Sequence, residues 1–157
     1  MADDLDGILR QFEQKRSEAI AREQEVAASR TKFRQQFMQA VHRDWARQAQ
    51  ELVNALGTKG HGAEINVSQE PHQEMMVIHV KPNLKGLPHS VSTDFDFQVK
   101  LFPNEAMLRA CFVTVTPDSP EYIGTPEPYS LEDLADGKFK AVLGHHLAVL
   151  LTAAMPH

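Results

Sequence analysis

Residues 33–62 read FRQQFMQAVHRDWARQAQELVNALGTKGHG, and the architecture turns on how this stretch begins and ends. Phe33, Phe37, Val41, Trp45, Ala49, Leu52 and Leu56 recur at intervals of four and three, the spacing of one face of an amphipathic helix. That helix must stop at Gly57-Thr58-Lys59-Gly60-His61-Gly62, where three glycines in six positions supply a left-handed cap and a turn. Beyond the turn the apolar period falls from about 3.6 to 2, which is the change from helix to strand.

Read backwards, the helical text does not end at Phe33. From Leu5 to Leu56 there is no proline and one glycine, Gly7, and strong helix formers dominate. A helix of that length spans roughly 75 Å, far more than a small domain can cover. Leu5, Phe12, Ala19, Val26, Phe33 and Ala40 fall seven apart as one heptad column. The column four residues on, Leu9, Arg16, Glu23, Arg30 and Phe37, is apolar only at its ends. Residues 1–32 are therefore expected to form an extended helical arm, a coiled-coil or dimerisation segment. Residues 33–157 are expected to form a single α+β domain.

Read forwards, strands are predicted at 64–69, 75–81, 90–102 and 107–116. The third is the clearest: Val91, Thr93, Phe95, Phe97, Val99 and Leu101 alternate with Ser92, Asp94, Asp96, Gln98 and Lys100. Clean alternation implies an antiparallel sheet with one wet face. The following segment holds Pro117, Pro120, Pro126 and Pro128 and reads as an irregular loop. Ser130 is the expected N-cap of a short helical turn, and 138–155 is the last helix, rich in Phe139, Leu143, Leu147 and Leu150. The fold class is thus α+β: a long N-terminal helix, a four-stranded antiparallel meander, and a C-terminal helix packed on one sheet face.

Composition narrows the functional classes. The chain has 157 residues, 42% hydrophobic and 24% charged, with one cysteine, Cys111. Residues 1–56 carry nine Lys/Arg and nine Asp/Glu, so the net charge of −5 belongs to the rest of the chain. An acidic domain repels phosphate backbones, which argues against nucleic acid as a partner. No apolar run approaches the ~20 residues of a membrane span. The acidic start Met1-Ala2-Asp3-Asp4-Leu5-Asp6 and the lone thiol point to a cytoplasmic, reduced protein.

Chemistry-bearing patterns are sparse. His145 and His146 are adjacent, so on a helix they point about 100° apart and do not form an i,i+4 metal pair. His146 falls on the apolar face and reads as a core histidine. Gly57–Gly62 lacks the Lys-Ser/Thr of a phosphate loop, and Cys111 reads as a buried, inert thiol. No catalytic residue, cofactor or metal ligand is assigned. Asp94 and Asp96, two apart on a strand, could support a small cation-dependent enzyme. Arg30, Lys32, Arg34, Arg43 and Arg47 against Asp44 make 30–47 locally +4, a candidate surface for an acidic partner, nucleic acid included. The leading expectation is a non-enzymatic interaction module, a homodimeric adaptor or chaperone-like protein, with the arm as its assembly element.

Overall fold

The computed structural model describes residues 2–83, 97–116, 119–122 and 126–155. Helix α1 (Ala2–Ala40) passes through one π-helical turn (Val41–Trp45) into α2 (Ala46–Thr58). Strands β1 (Gly62–Ser68), β2 (Met75–Lys81), β3 (Phe97–Asn104) and β4 (Arg109–Thr116) follow. Two short strands, β5 (Ser119–Tyr122) and β6 (Glu127–Tyr129), precede a 3₁₀ turn and helix α3 (Lys138–Ala154).

The π turn answers a phase problem in the sequence. Phe33, Phe37, Val41, Trp45, Ala49 and Val53 are all buried, and each lies four residues after the last. On a regular α-helix a step of four overshoots one turn by about 40°, so five steps would carry the stripe about 200° around the axis. The Ala46 N–H donates instead to Val41 O, a bond one residue longer than the α-helical one. The extra residue gives back about 100° of that drift and keeps both halves of the stripe on the core. Leu52 and Leu56, expected on the stripe, are partly buried at its margin, because α2 is flanked by β1 on one side and α3 on the other.

Trp45 sits where the layers meet. Its ring stacks on Phe139 of α3 at 5.0 Å between centroids and takes the edge of Phe37 at 5.5 Å. Phe139 in turn lies 5.9 Å from Phe112 of β4. These rings, with Met76, Ile78, Val80, Val99 and Leu101 from the sheet, form one core between the sheet and the two helices.

The sheet is antiparallel in the order β1-β2-β3-β4-β5, with β6 also on β4. The α+β class is as expected, but the sheet is five positions wide rather than four. β5 pairs with the Val115–Thr116 end of β4 and β6 with the Ala110–Phe112 end. Both contain prolines that had marked the segment as irregular. They are tolerated because an edge strand needs only one side of its backbone for the ladder.

The second face is not uniformly wet. Val77, Cys111 and Val113 point away from the main core and are nevertheless buried. The register places Lys100 directly between Val77 and Val113, and Phe102 opposite Cys111. The alkyl stem of Lys100 and the Phe102 ring are long enough to shield these neighbours, which a strict polar-apolar alternation overlooks. The predicted strand segment 90–96, with Asp94, Phe95 and Asp96, lies outside the described residues.

Two caps join the elements. Gly60 (φ 87°) ends α2: the His61 N–H donates to Leu56 O and the Gly60 N–H to Gly57 O, at 3.0 Å each. The first turn of α3 has no side-chain cap of its own. Buried Gln48 of α2 supplies one across the core, its Oε1 accepting the Lys140 N–H at 3.0 Å. Ser130 caps the 3₁₀ turn as expected, accepting the Asp133 N–H at 3.0 Å while Asp133 accepts the Ser130 N–H at 3.3 Å.

Trp45→Ala should destabilise the domain by about 3–5 kcal/mol, since it opens a cavity at the meeting point of three elements. Denaturant melts measure the loss. A tryptophan emission maximum typical of water-exposed indole in the native protein would rule out the burial on which this rests.

Candidate functional site

The arm is the first feature that lacks an internal explanation. Every side chain described from Asp4 to Lys32 is exposed, and Phe33 is the first buried one. At the tip Leu5, Ile8, Leu9 and Phe12 are 58%, 61%, 52% and 65% exposed. Their spacing of three and four places them on one helical face, so they form a continuous apolar strip rather than scattered single residues. Further along, Ile20 and Val26 are exposed as well. The same helix also carries ion pairs within its own length, Glu13–Arg16 and Glu18–Arg22, which support it in water.

The five basic residues singled out in the sequence do not converge on one surface. Arg34 is largely buried and serves the fold. Its Nε lies 2.9 Å from Glu105 Oε1 in the β3–β4 turn. Its Nη1 lies 3.6 Å from Glu74 Oε1 and 3.3 Å from His72 Nδ1 at the β1–β2 turn. Arg47 pairs with Glu51 at 3.1 Å and Asp44 at 3.8 Å on its own helix. Arg30, Lys32 and Arg43 are exposed. Sequence spacing registered the charge cluster but not that two of its members already have carboxylate partners.

Open grooves border the helix. One, about 830 Å³, runs between α1 and the β1–β2 turn, with Arg34, Met38, His42 and Arg43 facing Pro71 and Glu74. A second, about 680 Å³, lies between the π turn and the start of α3 and is lined by Arg43, Trp45, Arg47, Leu134, Asp136 and Lys140. The third, about 380 Å³, is the notch between the arm and the β3–β4 turn, where Arg22, Val26 and Arg30 face Ala106 and Leu108. Both signs of charge line the first two, Arg34 and Arg43 with Glu74 in one, and Arg43, Arg47 and Lys140 with Asp44, Glu51 and Asp136 in the other. Neither presents the single sign of charge that would draw in a phosphate backbone.

One titratable cluster was only half legible beforehand. His146 is buried and stacks on Phe112 at 4.9 Å, with the Tyr129 ring edge-on to Phe112 at 5.5 Å. Tyr129 Oη donates to Glu127 Oε2 at 2.7 Å, and His146 Nε2 lies 3.4 Å from the same oxygen, outside hydrogen-bonding geometry. Burial holds the imidazole below its ordinary pKa, and neighbouring His145 adds to this while Glu127 opposes it. Burial, then the hydrogen bond to Glu127 and its charge, push the Tyr129 phenol up to about 12. A histidine, a carboxylate and a phenol in contact resemble acid/base machinery. His146 Nε2 has almost no surface open to solvent, whereas the Tyr129–Glu127 pair beside it is exposed. Cys111 is likewise buried, and its thiol pKa is raised by that burial, which removes its nucleophilicity at neutral pH. Among the described residues no group of three His, Cys, Asp or Glu could hold a metal ion, and no helix is long and apolar enough to cross a membrane. Asp94 and Asp96 lie outside the described residues.

Replacing Arg34 by Met should cost about 1–3 kcal/mol, because Glu74 is left largely buried without its cation; Arg43→Met, at an exposed position, should change stability by less than about 0.5 kcal/mol. Equal losses in denaturant melts would refute the distinction. For His146 the unfolded chain takes up a proton near pH 6.5 while the folded chain resists it. The stabilising contribution is therefore complete above that pH and is lost as the solution is acidified below it. His146→Phe should lose less stability than the parent between pH 7 and pH 5, and parallel curves would show that His146 titrates normally.

Comparison of the chain with family models, with curated proteins and with solved structures found no match.

Proposed function

We propose that this protein is a non-enzymatic interaction module that assembles as a homodimer through its N-terminal arm, in the manner of an adaptor or chaperone-like protein. The observation that carries this reading is the apolar strip Leu5, Ile8, Leu9 and Phe12, more than half exposed on a helix that the domain leaves uncovered. Apolar area kept in water costs roughly 25 cal/mol per Å², so four such side chains on one face favour burial against another molecule. The helical text supports it too, since a long isolated helix in water relies on packing for much of its stability.

The chemistry of the remaining surface agrees with binding rather than turnover. Among the described residues the histidine and thiol groups with shifted pKa values are buried, and the open grooves hold mixed charges. A buried free thiol suits a reducing compartment, which supports a cytoplasmic reading.

Light scattering tests the assembly. The full chain, 17.6 kDa per copy, should run at twice that mass, and a chain starting at Thr31 should run as a folded monomer. Equal monomeric masses for both would overturn the proposal.

A further inference from the structure

The geometry points to an antiparallel arrangement of the two arms, in which the apolar tip of each fills the notch between the other's arm and its β3–β4 turn. This inference rests on the reading of the arm as the dimer interface and specifies its direction, register and receiving surface.

Three observations lead to it. The first is that the described residues expose an apolar strip and an apolar notch of matching kind. One is the tip strip Leu5, Ile8, Leu9 and Phe12. The other is the notch, where Val26 of the arm and Leu108 of the β3–β4 turn are 47% and 43% exposed. Arg34, through its contact with Glu105, holds that turn against the arm, so the notch is a built feature of the fold. A two-fold axis near residues 17 and 18 lays residue i beside residue 35 − i of the other copy. It brings Leu9 over Val26 and Leu5 over Arg30 at both ends at once. One symmetric contact thus sets the tip of each chain against the notch of the other, which is how an isologous interface closes.

The second observation is charge polarity along the arm. Asp4 and Asp6 stand at its tip, while Arg30 and Lys32 stand at the notch end. An antiparallel pair sets carboxylates over cations at each end. A parallel pair sets like on like, which is destabilising and is a common way for proteins to exclude the wrong partner orientation.

The third observation decides between the two directions. The heptad column Leu9, Arg16, Glu23, Arg30 faces any partner helix laid along Leu5, Phe12, Ala19 and Val26. In a parallel pair Arg16, Glu23 and Arg30 each meet themselves, three successive like-charged layers. In the antiparallel register Arg16 meets Ala19, Glu23 meets Phe12 and Arg30 meets Leu5. There each charged side chain can lay its alkyl stem on an apolar neighbour and turn its head to water. The two tip–notch contacts together with the small Ala19 layers run over about 38 Å of helix, the distance from Leu5 to Arg30.

The test uses two single-cysteine positions in the full chain, Leu9→Cys and Val26→Cys, both exposed, with the native Cys111 buried. The two variants are produced separately and also together as differently tagged chains, then oxidised mildly. Disulfides need Cα atoms within about 7 Å, so the mixed Leu9→Cys with Val26→Cys product should exceed either self-linked product by at least about tenfold. In each separate variant the two new thiols would stand about 26 Å apart along the arm, too far to join. Self-linking of the Leu9→Cys chain would overturn the antiparallel register while leaving an arm-mediated dimer standing. A dimeric mass without the mixed cross-link would also overturn the register alone. A monomeric mass for the full chain would overturn the register and the dimer together.

Discussion

The long helix must present one continuous side to the core while its buried residues recur every four positions, and the rest of the fold follows from how that conflict is met. An α-helix cannot hold a strict four-residue stripe on one face over twenty residues. The single π turn at Val41–Trp45 takes up the mismatch. Without it the two helix halves would be rotated by about 100° relative to each other, and either Phe33 and Phe37 or Ala49 and Val53 would leave the core. With it, Trp45 lies flat on Phe139, Gln48 reaches the first turn of α3, and Arg34 reaches both sheet turns. The direction in which the arm leaves the domain is set at the same place.

Two polar contacts then lock what the apolar stripe aligns. Gln48 satisfies a backbone donor of α3 that no local side chain caps. Arg34 ties the arm's root to Glu74 and Glu105, on two different hairpin turns. Partly buried ion pairs add little net stability because desolvation offsets most of the attraction, but they penalise misplacement strongly. Here that penalty fixes the arm against the β3–β4 turn and so shapes the notch beside Val26 and Leu108. A contact that belongs to the fold thereby creates the surface proposed to receive a second copy.

An arm that spends its apolar residues at the tip and its charges in the middle is poorly suited to a simple parallel zipper. It suits an interface whose adhesive parts are at the two ends, with small and amphipathic side chains between them. Such an arrangement keeps the two globular domains at opposite ends of the paired arms, and leaves the grooves at the β1–β2 turn and the start of α3 open for other contacts.

Much of this was legible in the residues themselves. The helix from Leu5 onward, its stop at Gly57–Gly62, the strands β1, β2 and β4, Trp45 in the core and the last helix all follow from period, propensity and turn chemistry, which are local properties. The fates of Arg34 and Gln48 were not legible, because their partners lie 40, 71 and 92 residues away and spacing along one helix carries no information about them. The same holds for β5 and β6. Local rules read their prolines as breaks, and only the free edge of β4 made them strands. The π turn falls between the two: the four-residue spacing was visible, yet whether it would drift around the helix or be absorbed depended on having core on the same side at both ends. Sequence alone determined which residues seek burial. The tertiary structure decided which of them find it inside the chain, and it left Leu5, Ile8, Leu9 and Phe12 without cover because the arm carries them beyond the reach of the domain's own apolar surface.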